Sequence, residues 1–119
     1  MTRTVEGVAA VLHQPMTGRP ILFGDPDRHL CVDNAPVVLD GVSVGRIVTM
    51  WRAGNQVLWA GRVDLTREDL AGRVGVPALT GAAMSERDGV TTLTGWRVSR
   101  MALLPDESRP WADVMLRAW

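Results

Sequence analysis

Residues 42–64, VSVGRIVTMWRAGNQVLWAGRVD, constrain the fold more than any other stretch of the chain. Val42, Val44, Ile47, Val48 and Met50 lead into Trp51; Ala53-Gly54-Asn55 interrupts the run; Val57, Leu58, Trp59 and Val63 follow. Two runs of β-branched and aromatic residues around a Gly-Asn break predict a hairpin. Its strands are apolar enough to line a core, so the chain is expected to be a β-domain built around them.

The rest of the sequence extends that pattern. Val5–Leu12 predicts a first strand, closed by Pro15 and the turn residues Thr17-Gly18, and Pro20–Phe23 is short and apolar. Gly24-Asp25-Pro26-Asp27 is a turn, because proline presets φ and aspartate caps locally. His29–Val32 and Pro36–Leu39 are brief strand candidates, and Asp40-Gly41 turns the chain into the hairpin. Thr66-Arg67-Glu68-Asp69 has the form of a helix start, with Thr66 able to cap the N–H of Asp69 and two acids in the positively polarised first turn. That helix is expected to end near Gly72–Gly75. Val76–Met84 fits strand or loop equally, Glu86–Gly89 reads as a turn, and Val90–Thr94 and Trp96–Leu104 read as strands that Pro105 stops. Asp106–Pro110 is a polar loop, and Ala112–Trp119 alternates as a last strand would. Many short strands with one short helix predict a mainly β fold, a single small closed or nearly closed β-barrel over residues 1–119.

Composition narrows the function. The 119 residues suffice for one apolar core, and 13 basic side chains balance 13 acidic ones, so no global field attracts nucleic acid or anionic membrane. Every basic residue is arginine, which pairs with carboxylates through a planar fork. Five tryptophans stand beside one phenylalanine and no tyrosine; some must be core, and each buried indole N–H needs a partner. Cys31 is the only cysteine, which excludes an internal disulfide and fits a reducing compartment. One cysteine and two histidines, His13 and His29, do not make a structural zinc site, and no other cofactor motif occurs. The first residues hold too short an apolar stretch for a signal peptide, and no run approaches the roughly 20 apolar residues of a membrane span. Synthesis in the cytoplasm is therefore expected.

Thr17-Gly18-Arg19, Asn34–Leu39, Val44-Gly45-Arg46-Ile47, Ala60-Gly61-Arg62-Val63-Asp64, and Val98–Pro105 through Ala112-Asp113-Val114 follow one another along the chain. In this order the blocks resemble the prohead (capsid maturation) protease family of tailed phages, whose β-barrel is related to the herpesvirus assemblins. The resemblance implies a barrel that works inside or on a capsid shell. It also implies a catalytic histidine in a Gly-His-(Asp/Glu) segment before the Val-Gly-Arg strand, and a serine in a Gly-Val-Ser strand after the helix. Here Asp40-Gly41-Val42-Ser43 holds no histidine, and Gly75-Val76-Pro77-Ala78 places Pro77 where the serine belongs. Proline has no hydroxyl and cannot donate to a strand ladder.

Of the remaining serines (43, 85, 99 and 108), Ser43 with His29 is the least implausible replacement pair, although a satisfied or exposed role is the plainer expectation for both histidines. A buried, unreactive thiol is expected at Cys31. No catalytic, cofactor or metal residue is therefore assigned.

The expected function is that of a non-catalytic structural protein of a phage virion, made in the bacterial host cytoplasm, that decorates or cements the capsid surface. Its partner is expected to be the major capsid protein, without nucleic acid or membrane, and a homotrimer matching local threefold axes follows by analogy. Arg109, Trp111, Arg117 and Trp119 are the expected contact residues. Two alternatives are a maturation serine protease with a rearranged site and an unrelated small β-barrel binding module.

Overall fold

A computed structural model describes residues 2–14 and 21–105 of the chain. Nine strands and one helical turn follow in order: β1 (Arg3–Val11), β2 (Ile21–Phe23), β3 (Pro36–Leu39), β4 (Val42–Ala53), β5 (Gln56–Val63), α1 (Arg67–Leu70), β6 (Arg73–Thr80), β7 (Ala83–Arg87), β8 (Val90–Thr94) and β9 (Arg97–Pro105). The fold is mainly β. Six strands form one sheet in the order β1-β5-β4-β3-β9-β6, and three form a second in the order β2-β8-β7.

The central hairpin forms where the alternation places it. Ala53 pairs with Gln56 around Gly54-Asn55, and Gly54 takes a φ of 61°, the sign that tight two-residue hairpin loops need. Asp40-Gly41 and Asp88-Gly89 have both φ values positive (50° and 81°, 53° and 77°) and close the β3–β4 and β7–β8 hairpins as Asp-Gly loops do.

Inward-facing residues of the large sheet make the core. Val5 of β1, Val57, Trp59 and Val63 of β5, Ile47 of β4, Val37 of β3, Val74 and Val76 of β6, and Val98, Met101 and Leu103 of β9 are all buried. Trp59 reaches across the interior: its ring lies against Gly61 on its own strand and against Gly75 on β6, where a methyl group would collide with it. Phe23 and Trp96 pack with ring centroids 5.4 Å apart and join the small sheet to the same core. The Trp96 indole N–H donates to the Gly24 carbonyl at 3.0 Å, so this buried indole is satisfied. The Trp59 N–H is buried without a partner.

The large sheet curls through 239° and forms a half-barrel, which corrects the expected closed or nearly closed barrel. Its edges, β1 and β6, pack against each other without a hydrogen-bonded ladder. The strand directions explain this. Following the pairings from β1 to β6, three antiparallel steps, one parallel step and one antiparallel step leave the two edges running the same way. Closure would need a parallel ladder against a strand whose Pro77 has no N–H to give.

Residues 64–72 cross from the end of β5 to the start of β6 and bury Leu70 in the core. At the opposite end, Leu12 bridges to Phe23, and His13 N donates to the Phe23 carbonyl at 2.7 Å, so the small sheet begins where β1 stops.

Three further expectations are corrected. His29–Val32 is not a strand; only Cys31 makes a bridge, to Val98, because the segment bends away at Asp33-Asn34, where Asn34 has φ 55°. Glu86 and Arg87 belong to β7, so the turn is Asp88-Gly89 alone. The helix ends at Leu70, since Ala71 is already extended and Gly72 has φ 69°. Val76–Met84, which fitted strand or loop equally, divides between β6 and β7 with a break at residues 81–82. The Thr17-Gly18 turn and the last strand expected at Ala112–Trp119 lie outside the described residues.

Candidate functional site

The positions where the family resemblance places catalytic groups come first. Pro77 is buried on the edge strand β6, opposite Met101 of β9. An edge is where a sheet tolerates proline, because one side of the strand makes no ladder. The segment before the Val-Gly-Arg strand is the Asp40-Gly41 turn, and it leads to Ser43, which faces Val38. His29 is not beside Ser43. It precedes Leu30, whose carbonyl accepts from Val98 N at 2.8 Å, whereas Val38 lies level with Ala102. The step from Val98 to Ala102 covers roughly 13 Å of strand, and β3 stands between Ser43 and β9.

The other described serines have different surroundings. The Ser99 hydroxyl donates to the Ala78 carbonyl at 3.2 Å, where the β6–β9 register shifts, which is a structural role. Ser85 is exposed on β7, and Ser108 lies outside the described residues.

Among the described residues, three surface depressions are lined in part by charged groups. One, of about 350 Å³, is lined by His29, Cys31, Val32, Asp33 and Arg97. A second, of about 260 Å³, lies across the same short segment and includes Asp33, Arg46 and Val48. Burial, and then the Asp33 carboxylate, push the Cys31 thiol above its ordinary value, so it stays protonated and is a poor nucleophile. The third, of about 290 Å³, is bounded by Arg3, Asp64, Leu65, Thr66 and Asp69.

In the third depression Thr66 and Asp69 are engaged with each other in a capping box. Thr66 Oγ1 accepts from Asp69 N at 3.1 Å, and the Asp69 carboxylate accepts from Thr66 N at 3.0 Å and from Thr66 Oγ1 at 2.8 Å. The bond from Thr66 N, and then that from its hydroxyl, hold the Asp69 carboxyl below its ordinary value. Among the described residues, no three His, Cys, Asp or Glu side chains are grouped as a metal site needs.

His13, the second histidine, belongs to an exposed cluster at the hairpin tip. Its Nε2 lies 3.1 Å from Asp25 Oδ1, and the Arg52 guanidinium reaches the same oxygen at 3.1 Å. The bond to His13, the largest influence, lowers the Asp25 pKa; burial opposes it, and the charge of His13 and then Arg52 lower it further. Three loops are tied together here: the ends of β1 and β2 and the β4–β5 turn.

The outward side of the β1-β5-β4 surface carries what the sequence reading missed. Trp51 is 38% exposed and Val48 is 53% exposed, the latter where the β4–β5 register shifts. Arg46 and Arg62 face each other across the ladder, both exposed. The signal was present in the hairpin: once Val57, Trp59 and Val63 point inward, Leu58 and Arg62 must point outward, and so must their partners Trp51 and Arg46. Elsewhere Val42 and Met84 are exposed at 63% and 74%. Arg109, Trp111, Arg117 and Trp119, the contact residues expected from sequence, lie outside the described residues.

No protein-family model matches the chain, and neither the curated proteins nor the solved structures contain a match to it.

Proposed function

We propose that this chain is a non-catalytic structural protein of a phage virion that decorates or cements the capsid shell through contacts with the major capsid protein. The observation that carries the reading is Pro77. In the ordered blocks that resemble the prohead proteases it takes the nucleophile's place, and although the β6–β9 register shifts one residue further on, between Ala78 and Leu79, the hydroxyl found there, that of Ser99, is bonded to the Ala78 carbonyl. The nearest replacement pair, His29 with Ser43, is spread over two strands and several residues. The half-barrel then serves as a rigid body, and its exposed Trp51 and arginines serve as contact groups repeated over many copies. A trimer on the local threefold axes is the arrangement that suits such repetition. A ligand-binding barrel uses a deep apolar pocket, whereas the depressions described above are bordered by arginine and carboxylate side chains.

The test is co-sedimentation of the purified protein with assembled phage shells, together with its copy number in mature virions. Saturable binding at a copy number comparable to the major shell protein supports the reading. Cleavage of a capsid precursor that Ser43→Ala abolishes would replace it with the rearranged protease.

A further inference from the structure

Arg46 and Arg62 stand directly opposite one another on the outward side of the curled sheet. Like charges at that spacing destabilise a β-ladder. Among the described residues, neither guanidinium has an ion-pair or hydrogen-bond partner. The nearest acids do not neutralise them. Asp64 lies two residues along the chain from Arg62, Glu6 lies two residues along β1 from Thr4, which faces Arg62, and Asp33 borders the depression that Arg46 lines; Arg46 and Arg62 make no ion pair with any of them.

The backbone brings the two arginines level. Each follows a glycine, and the position of a side chain on Gly45 is filled by the Arg62 carbonyl, while that on Gly61 meets the Arg46 carbonyl. The paired Gly-Arg steps therefore let the strands approach closely while turning both guanidiniums outward. Beyond them on the same side come Thr49 opposite Ala60, then Trp51 opposite Leu58. Two forks of donors lie next to a shallow apolar step.

We propose that this outward face of β4 and β5 binds a protein surface that presents paired carboxylates beside an apolar side chain. Carboxylates match the guanidinium fork and remove the repulsion across the ladder. Trp51 and Leu58 supply the apolar part, and arginine and tryptophan are the side chains that anchor protein interfaces. A nucleic-acid partner fits less well, because 13 basic residues are matched by 13 acidic ones and the chain carries no net positive charge to attract it. For the identity of the partner the inference rests on the capsid reading; its test does not.

The test is an NMR titration of the full chain with a short acetylated peptide of alternating glutamate and leucine. The Arg46 and Arg62 Nε–H signals and the Trp51 indole N–H signal are expected to move together, and Arg62→Glu is expected to weaken the peptide about tenfold. The same variant places opposite charges across the ladder, so it should melt at a higher temperature than the parent. Higher stability with poorer binding marks an interface residue; a structural arginine would lose stability instead. Peptide shifts that are absent or fall elsewhere, or an unchanged affinity in Arg62→Glu, overturn the proposal. An oligothymidylate that moves the same three signals at lower concentration than the peptide also overturns it, in favour of nucleic acid. Failure of the chain to bind phage shells removes the capsid reading alone and leaves the peptide result standing.

Discussion

The curled sheet and the β7–β8 hairpin are made of the same kind of strand but obey different constraints. In β5, buried and partly exposed residues alternate, and the inward set of Val57, Trp59 and Val63 locks the register, since a slip of one residue would bring Arg62 into the core. In β7 every residue is exposed, and among the described residues it is the last strand of its sheet, beside β8. Its register depends on the Asp88-Gly89 turn and on backbone hydrogen bonds, with little burial to enforce it. Strand content is therefore a poor guide to where stability lies in this molecule; stability follows the inward-facing side chains.

The largest effects are expected at the junction of the two sheets. Trp96→Ala removes a fully buried ring, its contact with Phe23 and the bond to the Gly24 carbonyl, and should cost about 4 kcal/mol in urea unfolding. A comparable truncation in the hairpin, Met84→Ala, is expected to stay within about 0.5 kcal/mol. Equal losses at the two sites would mean that the β7–β8 hairpin is held by burial as the core is.

Glycines sharpen the same contrast. Gly45→Ala drives a methyl group into the Arg62 carbonyl, so the β4–β5 ladder must part; a loss of about 3 kcal/mol is expected. Gly89→Ala meets no atom and pays only for its φ of 77°, about 1 kcal/mol. Chemical denaturation of the two variants side by side measures the difference.

Within the core, the two buried indoles should respond differently to loss of their N–H. Trp96→Phe strands the Gly24 carbonyl and should cost about 2 kcal/mol or more. Trp59→Phe discards an N–H that has no partner, so relief of its desolvation offsets much of the lost ring volume, and a net cost near 1 kcal/mol is expected. A larger loss for Trp59→Phe than for Trp96→Phe would mean that an internal water satisfies the Trp59 N–H, which amide and indole exchange rates can detect.

The smallest expected effect depends on pH. Asp25 and Asp69 both have pKa values lowered by folding, so each adds stability above the ordinary carboxylate value of 3.8 and loses it as pH falls through the lower folded value. Both are solvent-exposed, so the change is slight. Asp25→Asn should flatten the acid limb of the melting curve at the hairpin tip and leave the melting temperature at neutral pH almost unchanged.

Much of the fold was legible because local chemistry and tertiary context agree. The hairpin turn at Gly54-Asn55, the Asp40-Gly41 turn, the Thr66 cap and the stop at Pro105 each follow from backbone preferences that no distant residue opposes. His29–Val32 has the apolar content of a strand, but its backbone bonds to β9 only around Val98, and the Val32 carbonyl then accepts from Ala35 N as Asn34 turns the chain. Of the candidate site, the sequence displayed the two Gly-Arg steps without showing that they meet. That juxtaposition depends on the β4–β5 register, which includes a shift between Ile47 and Thr49.

The order of residues alone determined that this chain makes short strands, where most of them turn, that some of its five tryptophans must be core, and that proline occupies position 77. Those properties are set by side chains acting on their own backbone or on residues a few positions away. Tertiary structure alone decided that the large sheet stops at 239°, that the second sheet joins its core through Phe23, and that Arg46 confronts Arg62. Each of these depends on which strand edges meet and in which direction they run, and no local preference encodes that.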